Sequence, residues 1–236
     1  MVQDMKITVM GASGLIGTKV VEALKADGHV VVASSRSSGA DVLTGAGLTD
    51  ALTGANALVD VTNSPSFEAD AVMAFFTTSA TNLVGAAKAA GVGHYVALSI
   101  VGVDGLPDSG YFRAKVAQEK IITESGIPYS IVRATQFAEF ADEITESMSD
   151  GNEVRVPDAL IQPINADEVA SAVARVAAGQ PLNGIANIGG PEKIPFEQMA
   201  RNVLARKRDK TKTIIVDPEA RYFGAALERN SLITPG

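Results

Sequence analysis

The chain has 236 residues, 46% of them hydrophobic, a formal net charge of −7 and no cysteine. Its length allows one large α/β domain, or a core with a modest appendage. The missing cysteine excludes disulfides, thiolate nucleophiles and cysteine-held metals, and the acidic balance argues against nucleic acid, whose binding domains carry basic surfaces.

The opening stretch MVQDMKITVMGASG lacks the basic region and long apolar run of a signal peptide. No run of about 18 apolar residues offers a membrane span. A cytoplasmic protein without membrane contact is expected. KITVM (6–10) predicts a buried strand, and Ile16, Val20 and Leu24, four apart, predict the helix after it. HVVVAS (29–34) is the second strand, ADVL (40–43) a short third and NALVDVT (56–62) the fourth. A helix over about 70–90 stops at Gly91. HYVALS (94–99) is the fifth strand, a helix opening on YFRAK stops before Gly126, and YSIVRAT (129–135) is the sixth strand. This alternation predicts βαβ units and a doubly wound, parallel, Rossmann-like α/β sheet.

Beyond Thr135 the regularity weakens. A polar helix mixed with loop (136–165), a helix (166–178), a strand (184–190) and a helix (195–207) are expected, then the TIIV run (213–216) and the YFGAAL segment (222–227). Residues 1–135 therefore read as a dinucleotide-binding core. Residues 136–236 read as a small C-terminal substrate-binding part interleaved with the last sheet strands.

MGASGLIG places Gly11, Gly14 and Gly17 between the first strand and its helix. Gly11 permits the tight turn, Gly14 admits a pyrophosphate and Gly17 lets helix and strand pack closely. With Ser13, Leu15 and Ile16 they make the candidate phosphate-binding turn. There, unpaired helix N–H groups and a partial positive charge meet the phosphates. An ordinary structural turn is the alternative. The second strand ends in ASSRSS, without the carboxylate an NAD site usually has. Ser34, Ser35 and Arg36 can instead hold a 2′-phosphate, so NADP(H) is favoured over NAD(H). Thr62 and Asn63, just past the fourth strand, are candidate contacts beneath the cofactor.

Tyr111 and Lys115 lie four apart and share one helix face. A free tyrosine has a pKa of about 10 and needs a nearby cation to act as a base. The alternative is an ordinary helix start, with a half-buried ring and a snorkelling lysine. GASGLIG, the ALS that ends the fifth strand and YFRAK together resemble the short-chain dehydrogenase/reductase superfamily. RATQF (133–137) and IGGPE (188–192) resemble its atypical, NmrA-like branch over roughly residues 5–205. The resemblance implies that Tyr111 is the proton donor or acceptor. It implies that Lys115 binds the nicotinamide ribose and lowers the tyrosine's pKa, and that Ser99, 12 positions earlier, polarises a substrate carbonyl.

The expected activity is hydride transfer between NADP(H) and a small carbonyl, alcohol or quinone. A small molecule is the expected partner, and oligomeric state stays open. Two alternatives remain. One is a redox sensor without turnover, though such NmrA-like proteins typically lack the tyrosine. The other is a nucleotide-sugar epimerase or dehydratase, for which about 100 residues after the sixth strand is small. Asn82 is a candidate for a proton relay or a helix-packing contact, and Asp60 for catalysis or a loop cap. Phe137, Phe140, Tyr222 and Phe223 suit a substrate pocket or core packing equally well. His29 and His94 lack metal-ligand spacing and are expected at strand edges or on the surface. ARKRDKTK (205–212) is expected to be a solvated helix end.

Overall fold

A computed structural model describes residues 4–235. In chain order the first half contains β1 (Lys6–Met10), α1 (Leu15–Ala26), β2 (Val30–Ser34), α2 (Leu48–Leu52) and β3 (Ala57–Asp60). Next come α3 (Ala69–Ala90), β4 (His94–Ile100), α4 (Gly110–Thr123) and β5 (Tyr129–Ala134). These strands form one parallel sheet in the order β2-β1-β3-β4-β5, and β9 (Gly184–Ile188) extends it beside β5. The expected Rossmann-like α/β architecture is borne out.

The sheet explains the sequence pattern. β3 is buried along its whole length and β1 along all but its first residue, because helices cover both faces. Ile16, Val20 and Leu24 point α1 into one core, shared with β1, β3, β4, β5 and α6 (Ala166–Ala177). On the other face α2, α3 and α4 enclose Leu48, Leu83, Tyr95 and Ile122. The helix after β3 ends at Gly91, whose φ of +69° suits a glycine. Ser109 caps α4 by accepting a hydrogen bond from the Phe112 N–H.

The expected strand at 40–43 does not form. Asp41 folds that segment into a turn, its carboxylate accepting the N–H groups of Leu43 and Thr44, and Gly45 and Gly47 follow at positive φ. The local polar group satisfies the backbone that a strand would have paired, so the sheet's edge stays at β2.

The remaining elements are α5 (Ala141–Ser147), β6 (Ser149–Asp150), β7 (Glu153–Val156), β8 (Leu160–Ile161), β10 (Ile194–Pro195), α7 (Phe196–Lys207), β11 (Thr213–Val216), β12 (Arg221–Tyr222) and β13 (Ala225–Ala226). They surround a separate cluster built on Val154, Ile161, Phe196 and Tyr222. Val103, Leu106 and Phe112 join that cluster, so this part packs where β4 ends and α4 begins.

His94 starts β4 and His29 directly precedes β2, and both are buried rather than surface groups. His29 accepts from the Met5 N–H, and His94 shares a hydrogen bond with Ser130. The cations of the ARKRDKTK run, at the end of α7 and beyond it, are partly paired, with Arg206 and Lys207 on Asp142 and Lys212 on Glu146. Among the described residues no helix is long and apolar enough to cross a membrane, and no cluster could hold a metal ion.

Candidate active site

In this sheet the chain runs from β1 outward to β2, then returns to β3 on β1's other side. The crevice at such a switch point is where open α/β sheets bind ligands. The glycine turn sits there. Gly11 has φ +86°, and its N–H and that of Ala12 donate to the Ser34 carbonyl at 3.0 and 3.1 Å. A Cβ on Gly17 would stand 2.0 Å from the Gly11 carbonyl oxygen, so the helix approaches the turn as closely as only glycine allows. A Cβ on Gly14 would meet only that oxygen, at 3.4 Å, and otherwise open space. α1 begins at Leu15 without a side-chain cap and without an acid in its first turn. Its leading N–H groups and positive dipole end are thus left for an anion.

A single cavity of about 970 Å³ starts at this turn and runs along the carboxyl ends of β1, β3, β4 and β5. Of the cofactor-binding and catalytic candidates, all but Gly17, Asp60 and Asn82 line it: Gly11, Ser13, Gly14, Leu15 and Ile16; Ser34, Ser35 and Arg36; Thr62 and Asn63; and Ser99, Tyr111 and Lys115. Gly17 serves the packing role expected of it.

Ser35 and Arg36 open a short 3-10 turn after β2, where Ser35 and Ser38 satisfy each other's backbone and side chain. Asp41 and Val42 also line the cavity near this end, a contribution hidden by the strand reading of that segment. Thr62 donates through both its N–H and its hydroxyl to Asp60.

Asp60 is fully buried beneath the cavity floor. Its other oxygen accepts from Tyr95 Oη at 3.0 Å and Gln118 Nε2 at 2.9 Å. It is a loop cap and the hub of a buried network, and it does not line the cavity. Asn82 donates to the Val42 and Leu43 carbonyls, a packing contact that holds a lining loop, and does not itself line the cavity.

Tyr111 Oη donates to Asn63 Oδ1 at 2.8 Å, and that oxygen also accepts the Ser64 N–H. The tyrosine ring stands among Phe67, Phe76, Phe112 and Phe223. Burial pushes its pKa up to about 12, opposed by the Asn63 hydrogen bond. Lys115 is buried. Its ammonium donates to the Leu98 carbonyl at 2.9 Å and to Gln118 Oε1, and lies 4.5 Å from the centre of the Phe76 ring. Burial pulls its pKa down to about 8, against the pull of Asp60 and Glu119.

The tuning of tyrosine by lysine that the resemblance implies has no direct contact behind it among the described residues. The ammonium is engaged with Leu98 and Gln118, and the phenol's pKa moves up rather than down.

Two residues of the cavity wall each carry a polar atom buried without a partner among the described residues: Ser99 Oγ, near the end of β4, and Gln136 Oε1, just past β5. A buried polar atom left so costs about 1–3 kcal/mol. A rotation of either side chain toward the cavity would let a bound polar group supply the missing bond. Gln136 lies within the RATQF motif, yet nothing in its spacing singled it out. Next to it, Thr135 binds the Gln162 carbonyl, and Gln162 donates to Gly190 in the IGGPE motif. Phe137, Phe140, Tyr222 and Phe223 all line the cavity, and Tyr222 is also part of the second core.

No curated protein matches the chain by sequence. Among solved structures, Citrobacter sp. triphenylmethane reductase complexed with NADP(H) is 20% identical. The match covers 90% of this chain and 79% of that one, with a TM-score of 0.67. An NADPH-dependent quinone oxidoreductase from Escherichia coli is 22% identical, over 90% and 78% of the two chains, with a TM-score of 0.66. A dTDP-4-dehydrorhamnose reductase from Clostridium acetobutylicum is 18% identical, over 97% and 91%, with a TM-score of 0.71. At these identities the likeness is one of fold. The sequence profile that matches residues 11–180, described as NAD(P)H-binding, spans well over half of the chain, which therefore belongs to the NAD(P)H-binding family.

Proposed function

We propose that this protein is an NADP(H)-dependent oxidoreductase of the short-chain dehydrogenase/reductase type, near its NmrA-like branch, that reduces small carbonyl or quinone substrates. The observation that carries this reading is the unbroken cavity joining the glycine turn to Ser99, Tyr111 and an aromatic rim. Gly11, Gly14 and the first N–H groups of α1 would hold the pyrophosphate. Ser35 and Arg36 would hold the ribose that carries the 2′-phosphate, and Lys115 the nicotinamide ribose. When bound, the dinucleotide supplies the hydride.

The chain's own groups handle the substrate oxygen. Ser99 Oγ, buried without a partner, donates to it. Tyr111 shifts its donation from Asn63 to that oxygen and delivers the proton. With a pKa near 12, the phenol is fully protonated at pH 7, the form that reduction requires. The reading is tested by NADPH consumption across a panel of carbonyl compounds and quinones. Oxidation of NADPH by at least one of them is expected. A protein that binds NADPH and oxidises it with none would be a sensor rather than an enzyme.

NADPH should bind more tightly than NADH, and Arg36→Ala should remove about tenfold or more of the preference, as expected for lost charge-assisted hydrogen bonds. Equal affinities in the parent protein would refute the assignment of Arg36. The pH profile of kcat/KM for NADPH reports ionisations of the free enzyme. Lys115 discharges as pH rises through about 8. The profile should therefore fall above pH 8, and Lys115→Met should give a lower rate without that limb. A profile flat to pH 10 in the parent would remove the ammonium from cofactor binding.

A further inference from the structure

We propose that Phe67 and Phe223 form aromatic jaws that select a flat, conjugated carbonyl substrate, and that hairpin β12–β13 holds Phe223 there against local backbone strain. The inference rests on the oxidoreductase reading of the same cavity. The two rings come from distant parts of the chain, the loop after β3 and the turn between β12 and β13. Their centroids are 5.6 Å apart, and they lie 5.6 and 6.0 Å from the ring of Tyr111. Both line the cavity, yet Phe67 is 61% exposed and Phe223 44%. Two large neighbouring rings held so open at a cavity mouth leave apolar faces uncovered beside their own ring contacts.

The hairpin adds an independent sign. Tyr222 pairs with Ala225, so Phe223 and Gly224 are the two central turn residues. Their φ values are +47° and +82°. Positive φ at both is the type I′ pattern, whose first position prefers Asn or Asp. An aromatic residue in the left-handed region is strained, and such strain clusters at ligand clamps. The hairpin is already anchored by Tyr222, which is buried in the second core. Phe223 instead contacts Phe67, Tyr111, Phe112 and Tyr222, all of which line the cavity.

Ring faces hold planar π systems by stacking. The groups able to meet a carbonyl oxygen, Ser99 Oγ and Tyr111 Oη, belong to the same cavity. A substrate that reaches them keeps its body against the rings. A flat conjugated body gains that contact, whereas a puckered aliphatic one of equal size gains little.

The test is equilibrium dialysis of 1,4-naphthoquinone and of decahydronaphthalene-1,4-dione, the puckered dione on the same ten-carbon skeleton, against NADP⁺-loaded protein, with thermal melts alongside. Phe223→Asn and Phe67→Ala should each weaken naphthoquinone binding by about tenfold or more. The dione should bind the parent more weakly and lose no more than about twofold, since it draws little on stacking. Phe223→Tyr should keep the naphthoquinone affinity. The melting temperature of Phe223→Asn should stay within about 4 °C of the parent, because turn strain is relieved as ring contacts are lost. Undetectable naphthoquinone binding to the parent, unchanged affinity in both variants, or equal losses for the two ligands would overturn the jaws. A large fall in melting temperature for Phe223→Asn would overturn the strain. Naphthoquinone bound as expected but never reduced would leave the jaws standing and count against the oxidoreductase reading alone.

Discussion

Tyr111→Phe should lower turnover by about 10²- to 10⁴-fold, the range for a lost general acid, while NADPH affinity stays nearly unchanged. The substitution removes one oxygen and keeps the ring among Phe67, Phe76, Phe112 and Phe223. Asn63 loses one donor, but its side-chain oxygen still accepts the Ser64 N–H. The expected structural penalty is therefore small, and a loss of rate reads on the proton rather than on the fold. Tyr111 belongs to the substrate half of the cavity, whereas the glycine turn and Arg36 belong to the far end. Binding of the dinucleotide should accordingly survive. Undiminished turnover in the variant would take proton transfer away from Tyr111.

The largest stability effect is expected at Glu119. Arg133, on β5, donates to it from Nε at 3.0 Å and from Nη2 at 2.7 Å, and both side chains are 10% exposed. Breaking a buried pair by removing one partner costs about 3–5 kcal/mol, because the remaining charge is left without compensation. Glu119→Ala should lower the melting temperature by roughly 10 °C for a chain of this size. Asp104, the other partner of Arg133, cannot take over, since its side chain is 64% exposed and holds only Nη1. The pair ties α4 to β5, the elements that carry Tyr111 and lead into Gln136. NADPH affinity and turnover should thus decline before the melt itself begins. A loss of stability below about 1 kcal/mol would mean that the pair behaves as a solvated surface bridge.

The sheet was legible because parallel strands covered on both faces read as short, unbroken apolar runs, as in KITVM and ALVD. The glycine turn was legible because Gly11 and Gly17 are required by backbone geometry, and geometry of that kind leaves its mark on residue identity. ADVL failed for a local reason: its composition suits a strand, but the Asp41 carboxylate captured the nearby N–H groups first.

The site's polar wiring was less visible. Asn63 and Tyr111 are 48 positions apart, and no periodicity links them. Helical spacing placed Lys115 on one face with Tyr111, yet its ammonium is drawn instead to Gln118, the Leu98 carbonyl and the Phe76 ring. YFGAAL read as one apolar stretch. A tight hairpin splits it, sending Tyr222 into the second core and Phe223 to the cavity mouth.

The most direct measurement of dinucleotide binding at the glycine turn is a calorimetric titration with NADPH of the parent protein and of Gly14→Val. Gly14 has φ −81° and ψ 174°, an ordinary extended conformation for any residue, and a Cβ there meets only the Gly11 oxygen. The variant should fold normally while its side chain fills the space meant for the pyrophosphate. Saturable binding to the parent and none to the folded variant is the expected result. Equal binding to both proteins, or none to the parent, would contradict it.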